Sequence, residues 1–509
     1  MPTGWQWLPV ALGALLVYEL LRSTLVRWIK ARYEAQVDKF LHQHDIPVDG
    51  FRHTHRVVVK ERVLADPGLV AAIDARARAD GRTFHDVRKD VKAWLDEIVP
   101  QFNLLAYYKV GYALGRTAAY ATYNVRLDKE SLARAQAKIP DDAAVVYVSN
   151  HRSNADFVVT GFMLSKSVQV SYAVGEWARV WPLESLFKAF GSYFVRRGEK
   201  DPLYHRTLEA YLQLVTKQGV TQAMFPEGGL TRDGRLREPK LGLLDYMARA
   251  KLDPAFRRPL VFVPVGINFD RVLEDDNMVY EAEHGRPKYR KRGVGQKLAR
   301  LITLTGKLLW GWPLNAARFM AKRLKKHGIA AIHFGEPVVF DDWYAQQAPF
   351  LGHADRHVRY EALRPFADQL MGGIARNIPV TPVTALCHAM QHIGRDRIEA
   401  GVDRGAILLA LRRTLDAARA AGRPMAVTDP YTAPAIEHHR HVAHITDDVE
   451  AAEATEAVFE RAWDVVQGRG ILHEASGVWW TTRWDLVTYY ARSIGKLERP
   501  DQPAVELLV

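Results

Sequence analysis

His151 and Asp156 stand close together in Asn150-His151-Arg152-Ser153-Asn154-Ala155-Asp156, directly after the run Ala143-Ala144-Val145-Val146-Tyr147-Val148. That run is short, apolar and β-branched, the signature of a buried strand, and the polar residues after it end the strand. His151 is therefore expected at a strand's C-terminal end, where open α/β sheets hold their ligands. A histidine oriented by an aspartate through one ring nitrogen can take a proton from an alcohol with the other. Without the aspartate, the tautomer and ring orientation go unset. Alone, the H-x4-D spacing also fits a surface histidine beside a capping aspartate. The segments that follow give it weight.

Three of them run from a strand-like stretch into a polar turn. Gly191-Ser192-Tyr193-Phe194-Val195-Arg196-Arg197-Gly198 delivers two arginines, whose planar charged forks suit phosphate. Ala223-Met224-Phe225-Pro226-Glu227-Gly228-Gly229-Leu230-Thr231-Arg232-Asp233-Gly234 has glycines that let the backbone approach a ligand, with Glu227 and Arg232 beside them. Arg235-Leu236 stand where a P-loop requires Lys and Ser/Thr, which argues against a nucleotide site. Leu260-Val261-Phe262-Val263-Pro264-Val265-Gly266-Ile267-Asn268-Phe269-Asp270-Arg271 is nearly continuous apolar sequence, as in a strand buried on both faces. Pro264 lacks the N–H of a central ladder and predicts an edge strand or a bulge.

In this order the four segments resemble the blocks of the glycerolipid acyltransferases: H-x4-D, G-x-x-F-x-R-R, F-x-E-G-G and a V-P-V strand. Within that superfamily the chain is most similar to the glycerol-3-phosphate and dihydroxyacetone-phosphate acyltransferase branch. His151-Arg152-Ser153, Arg196-Arg197 followed by Leu203-Tyr204, Glu227-Gly228-Gly229, and Val265 to Val272 carry that likeness. It covers residues 143–275 and continues more weakly at Pro379-Val380-Thr381-Pro382 and Tyr489-Tyr490-Ala491-Arg492. The branch has R-S-R after Glu-Gly-Gly, whereas this chain has Leu230-Thr231-Arg232, so the first arginine is absent. That departure leaves the acceptor open.

The resemblance implies a mechanism and a site. His151 is the general base on the acceptor hydroxyl and Asp156 stabilises the imidazolium. Arg152, Ser153, Arg196, Arg197, Glu227, Gly228, Gly229 and Arg232 bind the phosphorylated acceptor. The hydroxyl oxygen attacks the thioester of an acyl-CoA or acyl-carrier protein, with no acyl-enzyme, no metal and no other cofactor. The expected reaction is acylation of glycerol 3-phosphate at sn-1 to lysophosphatidate, for phospholipid synthesis. The alternatives are acylation of a lysophospholipid such as 1-acyl-glycerol 3-phosphate, or an inactive membrane-binding relative. Retention of His151, Asp156, both arginines and Glu227 argues against the inactive reading. No G-x-S-x-G elbow supports a serine hydrolase.

The implied fold is α/β: an acyltransferase core of a mixed sheet flanked by helices, with helical N- and C-terminal regions. The divisions are 1–30, a membrane anchor or interfacial helix; 31–135, helical; 136–345, the α/β core with a basic insertion at 281–328; and 346–509, helical. A chain of 509 residues, 48% hydrophobic, can bury a sizeable core. A net charge of +12 favours an anionic partner. Without a nucleic-acid-binding signature, anionic membrane lipid is the expected partner and nucleic acid is not. The apolar run Trp5 to Leu21 is short for a span and is interrupted by Glu19. If it spans, the basic residues after it place the rest of the chain on the cytoplasmic side. Leu301 to Trp312, flanked by basic residues, has the composition of a helix lying in the headgroup layer. The single cysteine, Cys387, reads as a core residue. The His438, His439, His441 and His444 stretch reads as an exposed turn.

Overall fold

The structure is a computed structural model. It describes residues 56–100, 119–164, 171–175, 191–196, 198–285, 327–427 and 445–495, with the isolated positions 24, 117, 184, 187 and 188. The apolar run expected to form an N-terminal anchor, residues 286–326 of the basic insertion and the histidine-rich stretch lie outside the described residues.

Among the described residues, eight strands form one mixed sheet: β1 (Asn124–Leu127), β2 (Ala144–Ser149), β3 (Ser171–Gly175), β4 (Tyr193–Val195), β5 (Gln222–Met224), β6 (Leu260–Phe269), β7 (Ile329–Phe334) and β8 (Val338–Val339). Their order is β1-β7-β6-β2-β5-β3-β4, with β8 pairing β6. Strands β2 to β6 are mutually parallel, β7 and β8 run antiparallel to β6, and β1 is parallel to β7. The C-terminal ends of β2, β4, β5 and β6 therefore open on one edge, and His151, Arg196, Glu227 and Asp270 follow those ends.

Helices cover both faces, which is why β2 and β6 read as unbroken apolar runs. On β2, Ala144, Val146 and Val148 join one buried layer and Tyr147 the other, the period of two that a pleated strand imposes. The first layer holds the helices Arg56–Leu64, Pro67–Asp80, Phe84–Ile98, Pro202–Lys217, Gly242–Ala248 and Arg356–Asn377. The second holds Pro382–Ile393, Arg404–Ala420, Ile445–Gly468 and Trp484–Ala491. Phe84–Ile98 shows how the sequence writes such a helix. Thr83 caps it by accepting the Asp86 N–H, and Val87, Val91, Leu95 and Ile98 form its buried stripe.

The α/β core with helical regions before and after it is present as expected, with three differences. β1 lies upstream of residue 136, because four residues with an arginine among them carry too little pattern to show as a strand. Pro264 is neither at an edge nor in a bulge: the β2–β6 register runs unbroken from Ala144 opposite Leu260 to Ser149 opposite Val265. Its carbonyl accepts the Gly335 N–H at 2.8 Å, and a strand residue points its N and O to the same side. The missing N–H thus falls where the chain turns from β7 to β8, and no ladder bond is lost. Finally, Val402–Asp403, His473–Ala475 and Val478–Trp480 form a small antiparallel sheet within the C-terminal helices. A two-residue turn at Ser476-Gly477, both at positive φ, closes its hairpin. Trp479 is buried there against Phe459 and Trp463, and Cys387 is a buried core residue.

Candidate active site

The tip of β2 is fastened before the chain reaches His151. The buried Asn150 side chain mimics a peptide unit: Nδ2 donates to the Ile267 carbonyl at 2.9 Å and Oδ1 accepts the Ile267 N–H at 2.8 Å. Two residues past the strand, His151 Nδ1 lies 2.8 Å from Asp156 Oδ2. That oxygen also accepts the backbone N–H groups of Arg152 at 2.8 Å and Ser153 at 3.1 Å. An acceptor crowded by donors calls for a protonated Nδ1, which leaves Nε2 as the basic nitrogen. Asp156 occupies the first turn of the Ala155–Leu164 helix, where the helix dipole favours a carboxylate. Both side chains are buried. The imidazole stacks on Phe225 at 4.2 Å and meets the edge of Phe157 at 5.5 Å.

Glu227 brackets the same turn. One carboxylate oxygen accepts the His151 N–H at 2.7 Å and the other the Arg237 N–H at 2.9 Å. Burial pushes its carboxyl up to about 8, against the downward pull of those two donors. Thr231 donates its N–H to the His151 carbonyl at 3.1 Å, so the Glu227–Thr231 turn holds both backbone groups of His151. Ser153 Oγ donates to Glu274 at 2.8 Å, and Asn154 Nδ2 donates to the same carboxylate at 3.0 Å. This ties the start of the helix to the loop after β6.

The predicted arginines that are described each have partners within the chain. Arg196 follows β4 as expected, but Glu97 fills its fork at 2.8 and 2.9 Å and Glu199 adds a contact at 3.3 Å. Arg232 pairs with Glu281 at 3.1 Å. Arg152 is buried, donates to the Gly234 carbonyl at 3.2 Å, and lies over the Tyr489 ring at 5.1 Å. Arg197 lies outside the described residues. Gly228 and Gly229 form the turn beside Glu227, with Gly228 at φ 63°. His151, Phe157, Phe225, Pro226 and Gly228 line one part of a cavity of about 1090 Å³, and Ala173, Val195, Met224, Leu208 and Leu243 give it an apolar wall. Its other lining residues include Lys200, His205, Lys240, Asp245, Arg356 and Arg359. Such a space takes a ligand far larger than a glycerol phosphate, and its apolar wall suits a chain of methylenes.

Sequence reasoning passed over Asn150, Phe225 and Glu274. Asn150 adjoins the histidine and Phe225 adjoins the Glu-Gly-Gly turn, so adjacency was a usable signal for both. Glu274 had none.

Three comparisons bear on this geometry. Residues 132–268 match the family model described as Acyltransferase. A glycerol-3-phosphate acyltransferase of Glaesserella parasuis is 26% identical over 339 residues, 66% of this chain and 37% of that protein. Those of Pasteurella multocida and Xylella fastidiosa are each 27% identical, over 60% and 58% of this chain and 35% and 32% of theirs. The chain spans about a third of the length of these curated relatives. Among solved structures, the 1-acyl-sn-glycerophosphate acyltransferase PlsC of Thermotoga maritima overlays with a TM-score of 0.29 and 16% identity, covering 63% of this chain and 94% of that one. The matched residues, 132–268, contain both the His151–Asp156 pair and the Glu227 turn.

Proposed function

We propose that this protein transfers a fatty acyl group from a thioester to the sn-1 hydroxyl of glycerol 3-phosphate, giving lysophosphatidate and a free thiol. The observation that carries the reading is the buried His151–Asp156 pair, set at the C-terminal edge of the sheet with His151 among the residues that line a large, partly apolar cavity. Nε2 of His151 removes the hydroxyl proton as the oxygen attacks the thioester carbonyl. Asp156 stabilises the imidazolium at Nδ1. The tetrahedral intermediate collapses with cleavage of the C–S bond, and the departing thiolate takes up from His151 the proton that came from the hydroxyl. General base catalysis of this kind is worth ~10²–10⁴-fold, and holding two substrates together adds to it. Glu227 and Thr231 keep the histidine backbone in place, so the base does not move as charge develops. In this scheme Glu227 acts on the histidine turn, in addition to the acceptor role that the family resemblance implies.

The donor is a fatty acyl-CoA or acyl-carrier protein, and no cofactor is required. The net charge of +12 supports docking on anionic lipid, where donor and product partition, with the catalytic part on the cytoplasmic side. No helix among the described residues is long and apolar enough to cross a membrane, so the docking assigned here rests on charge. Leu230, in place of the family's arginine, favours a second reading in which the acceptor is a lysophospholipid. The deciding experiment offers a long-chain acyl-CoA with glycerol 3-phosphate or lysophosphatidate to the purified protein in detergent, with His151→Ala as control. Transfer to glycerol 3-phosphate that disappears in His151→Ala supports the proposal. Full activity in that variant, or transfer to the lysolipid alone, overturns it.

A further inference from the structure

The imidazole of His151 belongs to a packed aromatic cluster. Phe225 lies against its face, with ring centres 4.2 Å apart and planes 18° from parallel. Phe157 stands nearly perpendicular to both rings, 5.5 Å from the imidazole at 84° and 4.9 Å from Phe225 at 78°. Tyr172 lies 6.4 Å from Phe225, with planes 23° from parallel, and 5.9 Å from Phe157. All four side chains are buried. The backbone fixes where the stack forms. Phe225 directly follows β5, whose Met224 is opposite Val148 of β2, and the Phe225 carbonyl accepts the Gly228 N–H at 3.0 Å.

A face-on stack suits a base. The Nδ1 hydrogen shared with Asp156 and the Nε2 lone pair both lie in the plane of the imidazole, so a ring over its face obstructs neither. A phenyl ring in that place also has an electrostatic consequence. The face of a benzene ring is electronegative and attracts a cation within about 6 Å of its centre. Neutral imidazole gains only packing from it. The imidazolium, formed when Nε2 takes the hydroxyl proton, gains the attraction as well, and the buried surroundings leave it little screened. A contact that strengthens as charge develops lowers the barrier rather than tightening the ground state. Asp156 acts in the ring plane and Phe225 across the face, while Glu227 meets only the backbone N–H of His151.

We propose that Phe225 is a positioning residue for acyl transfer, holding the His151 ring by its face and stabilising through its π electrons the imidazolium that forms there. This rests on the acyl-transfer reading above. The test replaces Phe225 with mono-, di- and trifluorinated phenylalanine, which keep the ring's shape and progressively drain electron density from its face. Phe225→Leu, apolar but without a π face, completes the set. Two quantities are read across it. One is kcat for transfer from a long-chain acyl-CoA to glycerol 3-phosphate, as a function of pH. The other is the ring-nitrogen NMR signal of His151, identified by its loss in His151→Gln and titrated without substrates. The ring signal is needed because the Glu227 carboxyl, raised by burial to about 8, also titrates near neutrality. Fluorination should move the ring-titration midpoint and the acidic limb of the activity profile stepwise to lower pH, by about 0.4–1.5 pH units in all. Over the same series kcat should fall by about 2–30-fold, with both KM values within about twofold. A midpoint and kcat that stay flat across the fluorinated set would overturn the assignment, and so would a loss confined to Phe225→Leu, which marks packing alone. The NMR arm separates the two claims. A ring signal that follows fluorination in a protein transferring no acyl group refutes the reaction and keeps the contact, whereas transfer with a ring signal indifferent to fluorine does the reverse.

Discussion

Asp156→Asn is the most informative single change, because the structure dictates how the new amide must sit. Oδ2 of Asp156 receives three N–H groups, from His151, Arg152 and Ser153. An amide NH2 at that position would meet three donors, so the asparagine turns its oxygen there and its NH2 takes the place of Oδ1. The His151 tautomer then survives, and what disappears is the negative charge that steadies the imidazolium. A hydrogen bond to a charged group is worth ~1.5–3 kcal/mol, which corresponds to a kcat about 10–10²-fold lower. Oδ1 is buried without a partner, so an NH2 there also costs about 1–3 kcal/mol of stability. Asp156→Ala removes the acceptor altogether, unsets the tautomer, and should lower kcat by ~10³-fold or more. The assay is thiol release from an acyl thioester with saturating glycerol 3-phosphate, with urea denaturation of each variant alongside. If Asp156→Asn matches wild type within twofold, or is as impaired as Asp156→Ala, the reasoning fails.

Other outcomes follow from the same geometry. Asn150→Ala strands the buried N–H and C=O of Ile267 and should cost about 2–6 kcal/mol in urea denaturation, with activity falling as the β2 tip loosens. Glu227, raised to about 8 from an ordinary value of 4.5, keeps in the folded state a proton that the unfolded chain releases. The stability that proton confers is complete below about 4.5 and is lost as pH rises through about 8. The wild-type Tm should therefore decline relative to Glu227→Gln between pH 5 and pH 9, and parallel Tm curves would contradict the burial argument. Gly234 sits at φ 88° with space for a Cβ only 1.9 Å from the Tyr489 carbonyl oxygen. Gly234→Ala should cost more than about 3 kcal/mol and expose the C-terminal helices to limited proteolysis.

The acid–base pair and the strands that carry it were legible because they rest on local patterns. An unbroken β-branched run, a polar stop and a carboxylate on the next helical turn all fall within a dozen or so residues around His151. β6 was legible for the same reason, and Pro264 misled because its fate depends on where a distant chain reverses from β7 to β8. The partners of Arg196 and Ser153 were hidden for the same reason. Glu97, which fills the fork of Arg196, lies 99 residues away, and Glu274, which fastens Ser153, lies 121 away. Residue type showed that these side chains could bind an anion; only tertiary packing shows that a carboxylate of the same chain already does. The small sheet at Val402, His473 and Val478 escaped notice because strands of two or three residues have no readable period.

The contact between Arg152 and Tyr489 has a consequence for modularity. The family match stops at residue 268, yet the helices near residue 490 are built into the catalytic edge. Tyr490 donates to Asp275 at 2.7 Å and accepts the Val272 N–H at 3.0 Å, while Arg469 and Arg483 clamp Asp276 at 2.8 and 2.9 Å. Residues 132–268 are thus a unit of sequence kinship but not a unit of folding. Exchanging them alone between relatives would part the buried Arg152 guanidinium from the Tyr489 ring and Ser153 from Glu274. Recombination in this protein, natural or engineered, has to carry the last hundred residues together with the motifs.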